Sequence, residues 1–228
     1  MASSQPTRTP DHSTPADSTP ERSAPPQYPP APWHLAANAY LSLWPVPVAS
    51  LPRLPAAERP VTASGTAFVV TAWFDYLPSG QMSYRELLSA VVVRGGLTPT
   101  ATITEIWVDS PASLAGGRAL WAIPKDLARL EFTGGHAFTA TASTDGGGWI
   151  ATAAFSPRPC LPTRLPASFA IRQESSEGPL TSAVRSAAKP GAAAAAWNIN
   201  PDGPLGYLAE RSPLFSAHLS GARIRFGA

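Results

Sequence analysis

Lysine is nearly absent from this chain, so its two occurrences are the first residues to weigh as chemistry. Of 17 basic Lys and Arg side chains, 15 are Arg, which leaves Lys125 and Lys189. Arg stays protonated in a protein, whereas a desolvated amine can give up its proton, and only a neutral amine adds to a carbonyl. Lys125 sits in an apolar run, with Leu120, Trp121, Ala122, Ile123 and Pro124 before it and Leu127 soon after. That setting suits an imine-forming nucleophile. It equally suits a strand-end lysine whose stem covers apolar surface while its head reaches water. Composition leaves both readings open.

Glu86 is the second candidate. If residues 82–94 form a strand, Tyr84, Glu86, Leu88 and Ala90 share one face, and Arg85, Leu87, Ser89 and Val91 share the other. A carboxyl on the face of Tyr84 and Leu88 is placed inside an apolar cavity, where it can give or take a proton. The alternative is a surface Glu paired with Arg85 or Arg94.

The stretch Asp109 to Lys125, DSPASLAGGRALWAIPK, resembles the signature of the acetoacetate decarboxylase family. That signature has an Asp-Ser pair, a short helix ending in Gly-Arg, and an apolar segment closing in Pro-Lys. Tyr84-Arg85-Glu86 resembles the family's Tyr-x-Glu strand, and the 39 residues from Glu86 to Lys125 match the family's spacing between catalytic Glu and Lys. The resemblance covers about Trp33 to the C-terminus. It implies that Lys125 is a Schiff-base lysine and Glu86 its catalytic partner. Arg118, Tyr84, Trp121 and Thr71 are then the expected substrate-binding or positioning residues, with Trp121 helping to exclude water. The resemblance also implies a cone-like β-barrel with few helices and a homo-oligomer.

Three departures accompany the match. Asp126 stands where decarboxylases of the family carry a second Lys. In an extended segment Asp126 points out of the pocket, whereas pointing inward it opposes formation of a neutral amine. Thr71 stands where the family has a Glu in gap-free register. The Arg that the decarboxylases associate with the substrate carboxylate has no counterpart: residues 33–52 contain no Arg, and the nearest position in register is about Leu35.

The elements needed to position these residues are mostly strands. The 228 residues suit one domain plus a tail. Residues 1–32, rich in Pro, Ser and Thr, bury too little apolar surface to offset their ordering entropy and are expected as a disordered tail. The barrel domain would then span residues 33–228. Strands are expected at 36–44, stopped by Pro45 and Pro47, and at 64–76, 82–94 and 100–109. A short helix over 111–115, capped at Asp109-Ser110-Pro111, ends at Gly116-Gly117. Further strands follow at 127–133, 136–143, 148–156, 165–174, 180–187 and 215–226, with an irregular strand at 191–197. This succession predicts a mainly β (α+β) fold, a closed antiparallel sheet in preference to a βαβ arrangement.

Composition narrows the partners. A net charge of +2 is too small to imply nucleic acid or a membrane. No signal-peptide pattern and no span-length apolar run occur, and the single cysteine, Cys160, permits no internal disulfide and fits a reducing cytoplasm. Cys160 reads as structural, with no His or motif beside it in sequence. The four His show no metal-ligand spacing and no Gly-rich phosphate loop is present, so no metal or cofactor is expected. The expected partner is a small-molecule carbonyl compound, and the expected location is cytoplasmic.

Three functions fit. The first is a lyase that decarboxylates a β-keto acid through a Lys125 imine. The second is a Schiff-base aldolase, dehydratase or cyclase on the same scaffold, acting on a larger carbonyl compound in secondary metabolism. The third is a barrel that binds a hydrophobic ligand without covalent catalysis. A β-keto acid needs a cation for its carboxylate, which Arg118 or Arg85 supplies only if its side chain enters the cavity.

Overall fold

The computed structural model describes residue 1, residues 27–135 and residues 137–227. The expected tail lies mostly outside these residues, as does His136 in the strand expected to start there. Residues 27–32, the described part of that tail, pack onto the domain. Trp33 Nε1 donates to the Pro29 carbonyl at 2.8 Å, and Tyr28 packs against the buried residues around Trp33.

The chain runs β1 (Trp33–Pro47), β2 (Thr62–Ala63), β3 (Thr66–Tyr76), β4 (Tyr84–Val93), β5 (Thr100–Val108) and helix α1 (Pro111–Trp121). It continues through β6 (Lys125–Leu127), β7 (Arg129–Thr133), β8 (Phe138–Ser143), β9 (Trp149–Pro157), β10 (Leu165–Ser175), β11 (Gly178–Ile199) and β12 (Phe215–Phe226). The result is a mostly-strand fold. Pairing runs β10-β5-β4-β3-β1-β12-β11, and β10 also pairs β11, so the path returns on itself. Beyond β11 it continues through β9, β8 and β7. The strands are not set evenly round an axis, so the expected cone-like barrel is seen only as this circuit of pairings.

The all-antiparallel expectation needs correction. β5 pairs in parallel with β6 (Ile106↔Lys125) and, through its first residues, with the middle of β10 (Thr100↔Ala170). A parallel return requires a crossover, and α1 supplies it between β5 and β6. One βαβ unit therefore carries Lys125.

Helix α1 is also longer than expected, continuing through Gly116 and Gly117 to Trp121. Glycine weakens a helix interior but permits close approach. A Cβ at Gly116 would lie 2.5 Å from Trp33 Cζ2, and one at Gly117 would lie 2.7 Å from Lys125 Cδ. Packing thus retains both glycines inside the helix. Ser110 caps its start by accepting from the Ser113 N–H, and Ala122 ends it in the left-handed region at φ 52°.

β1 likewise continues through Pro45 and Pro47. Its pairing with β12 stops at Leu43, so both prolines lie where β1 has become an edge strand and no donor is needed on that side. The run of five alanines belongs to β11, where antiparallel pairing of Ala193–Ile199 with β9 overrides the helical preference of alanine. Side-chain alternation divides the sheet interior in two. Trp44, Trp73, Leu87 and Phe155 pack one core, while Trp33, Tyr76, Tyr84, Ile106 and Trp121 surround a cavity.

Candidate active site

The hairpin of β3 and β4 sets Phe74 opposite Glu86 and Tyr76 opposite Tyr84. Period-two alternation turns Val70, Ala72, Phe74 and Tyr76 of β3, with Tyr84, Glu86, Leu88 and Ala90 of β4, into the cavity. β5 lies next to β4, and β6 lies on the far side of β5, which places Lys125 about two strand spacings from β4 (roughly 10 Å between backbones). The Lys125 side chain crosses that distance over β5. Its Nζ donates to Glu86 Oε2 at 2.8 Å and to Ser113 Oγ of α1 at 2.9 Å.

Both members of the pair are buried, with side chains 4 % exposed. Removing two charges from water is offset only when they pair closely and their remaining hydrogen-bonding capacity is used. Here Tyr76 donates its hydroxyl to Glu86 Oε1 at 3.1 Å, and the Tyr84 ring centroid lies 5.2 Å from Lys125 Nζ, within cation–π range. The two tyrosine rings stack 4.3 Å apart. Burial raises the pKa of both phenols well above 10, and the neighbouring Glu86 charge raises them further. Both tyrosines therefore stay protonated, and Tyr76 remains a donor to the carboxylate.

The pair forms part of the wall of a cavity of about 310 Å³. Trp33 and Trp121 meet edge to face at 4.7 Å, Trp121 meets Phe226 at 4.6 Å, and all three line the cavity. The Gly117 backbone fits against the Lys125 stem, where any Cβ would collide.

Of the residues expected from the sequence, Lys125, Glu86, Tyr84 and Trp121 come together at this cavity. Arg118 does not line it. Its Nε donates to the Lys125 backbone carbonyl at 2.7 Å and its Nη2 pairs with Asp126, so it fastens the Lys125 segment from outside. Asp126 accordingly points outward, with its side chain 68 % exposed. Thr71 is a correction. It lies on the opposite face of β3 from Val70 and Ala72, where its hydroxyl accepts from Trp44 Nε1 at 2.9 Å. Alternation places it in the other core.

Sequence reasoning missed Ser113 and Tyr76. Ser113 lies four residues before Gly117, on one helical face, and becomes visible once the helix is allowed to run through both glycines. Tyr76 is implied by extending the hairpin register to Tyr84. The structure also brings to Cys160 a His that its sequence neighbours did not offer. The His218 ring nitrogens are 3.7 and 3.8 Å from Cys160 Sγ, while Nε2 bonds the Arg158 carbonyl at 2.7 Å. Among the described residues no three His, Cys, Asp or Glu side chains form a metal-holding group, and no helix is long and apolar enough to cross a membrane.

Fold and site together define a mostly-strand domain with a buried amine–carboxylate pair on the wall of an apolar cavity. A sequence model described as acetoacetate decarboxylase (ADC) matches residues 19–178, so the chain belongs to the acetoacetate decarboxylase family. The acetoacetate decarboxylase of Legionella pneumophila subsp. pneumophila str. Philadelphia 1 superposes with a TM-score of 0.67 at 16% identity, over 91% of this chain and 90% of that one. The enduracididine biosynthesis enzyme MppR complexed with pyruvate gives 0.63 at 17% identity, over 91% of each chain. An acetoacetate decarboxylase-like enzyme from Sphingomonas wittichii RW1 gives 0.61 at 16% identity, over 87% and 91%. At these identities the likeness is one of fold. No curated protein matches the chain in sequence.

Proposed function

We propose that this protein is a Schiff-base-forming enzyme acting on a carbonyl compound, with Lys125 as nucleophile and Glu86 as proton carrier. The observation that supports the reading is the buried Lys125–Glu86 contact of 2.8 Å on the cavity wall. Glu86 takes a proton from Lys125, and the freed lone pair adds to the carbonyl carbon. The C=O π pair moves to oxygen, proton transfers convert that oxygen to water, and its departure leaves an iminium ion. The iminium then receives an electron pair from a neighbouring bond. If that bond is C–H, Glu86 accepts the proton and an enamine forms, ready for aldol, dehydration or cyclisation steps. If it is a bond to a carboxylate, carbon dioxide leaves, which is the decarboxylating version of the same chemistry. Protonation of the enamine carbon, or its attack on a second carbonyl, regenerates the iminium, which water then hydrolyses to restore Lys125.

Proton exchange tests the reading. Acetone in deuterium oxide would be followed by NMR with the protein present. Wild type is expected to speed loss of the methyl proton signal, and Lys125→Ala to abolish that effect. Glu86→Gln is expected to slow it by about 10²-fold or more, the usual size of a general-base contribution. Exchange undiminished in Lys125→Ala would refute the imine, and carbon dioxide release from acetoacetate would identify the decarboxylating version.

A further inference from the structure

We propose that the carbonyl substrate is uncharged, with an extended apolar body and no carboxylate near the reacting carbon. The proposal rests on the imine reading above and names the substrate class of that same site. Size is the first argument. The cavity holds about 310 Å³, within the range of pockets that enclose drug-sized ligands, and a short keto acid would leave most of it empty.

Charge is the second. Among the described residues, Lys125 and Glu86 are the only acidic or basic side chains on the cavity wall; the remaining lining is apolar apart from a few hydroxyls. Neither arginine that could have met a carboxylate enters. Arg118 is held outside by Asp126, and Arg85 donates to the Leu130 carbonyl with its guanidinium 5.3 Å from the Phe132 ring centroid. Arg185, Arg223 and Arg225 alternate with the cavity-lining residues of β11 and β12 and are exposed on the outer face.

Lys125 cannot fill the gap. It must be neutral to attack, and once it is an iminium its charge already faces Glu86. With a neutral substrate the site carries no net charge at either stage: neutral amine beside protonated Glu86, then iminium beside carboxylate. A substrate carboxylate would add an anion beside Glu86 with no cation to pair it, and an unpaired buried charge is strongly disfavoured.

The test compares 2-nonanone, acetoacetate and acetone on the full chain. Each is titrated, the mixture is reduced with borohydride, and the protein is weighed intact. Each buried methylene tightens binding roughly fourfold, so 2-nonanone is expected to reach half-maximal labelling at least about a hundredfold below acetone, and also below acetoacetate. A single adduct formed by acetoacetate at a concentration equal to or below that of 2-nonanone overturns the substrate proposal and leaves the imine reading intact. No adduct from any of the three overturns the imine reading, and the substrate proposal with it. Ala90→Leu narrows the cavity on the Glu86 face of β4. It is expected to raise the 2-nonanone concentration at least about fourfold more than the acetone concentration. Equal shifts would show that the hydrocarbon body lies elsewhere and would overturn the proposal.

Discussion

Lys125 Nζ and Glu86 Oε2 lie 2.8 Å apart across 39 residues of chain, with both side chains buried. The contact is a dependency as well as a bond, since removing either partner strands the other charge. Lys125→Met and Glu86→Leu are each expected to cost about 3 kcal/mol or more, as broken buried pairs do. The double variant, which leaves no buried charge, is expected to be more stable than either single one. Urea unfolding of the four proteins measures this. Losses that simply add would show that the two groups do not depend on each other.

Gly117 sets packing against helix propensity. Alanine there improves helix propensity by up to about 1 kcal/mol, yet its Cβ would meet Lys125 Cδ and Cε at 2.7 and 2.8 Å. The cheapest response is displacement of the lysine stem from Glu86. Gly117→Ala is therefore expected to be less stable than wild type by about 2 kcal/mol, because the propensity gain offsets only part of the cost of loosening the buried pair, while losing at least about tenfold in imine-trapping rate. Thermal unfolding and timed borohydride labelling check both halves. Unchanged labelling would mean the lysine can be held without that close approach.

Glu105 gives a pH dependence independent of the cavity. Burial pushes its carboxyl from 4.5 up to about 7, although hydrogen bonds from Thr104, Tyr207 and Ser89 pull it the other way. The folded state therefore holds this proton more tightly than the unfolded chain. The contribution to stability is complete below pH 4.5 and is lost as pH rises through 7, a change on the order of 3 kcal/mol. Urea unfolding at pH 5 and pH 8 is expected to show this loss in wild type and much less of it in Glu105→Gln. Equal pH slopes in the two proteins would contradict it.

The residues that were legible in the sequence carry their own signal. Lys125 stood out because the chain otherwise uses Arg, and Glu86 because alternation set a carboxyl among Tyr84 and Leu88. Asp126 followed the same rule and points outward. Thr71 was misplaced because a gap-free register identifies a position but not which face it turns to; its neighbours Val70 and Ala72 take the cavity. Gly116 and Gly117 hid the rest of α1, and with it Ser113, because their role is set by Trp33 and Lys125, distant in sequence. The parallel pairing of β5 with β6 was hidden in the same way. Local patterning shows a strand's existence, but its partner depends on where the intervening helix packs.

Site-resolved trapping tests the central claim most directly. The chain has two lysines, and Lys189 lies half-buried at a register shift in β11, which makes it an internal control. Protein reduced with borohydride in the presence of 2-nonanone or acetone would be digested and the modified peptide sequenced by mass. The account predicts one reduced adduct, on Lys125, absent from Lys125→Ala while the variant remains folded. An adduct on Lys189 instead, or equal labelling of wild type and Lys125→Ala, would contradict it.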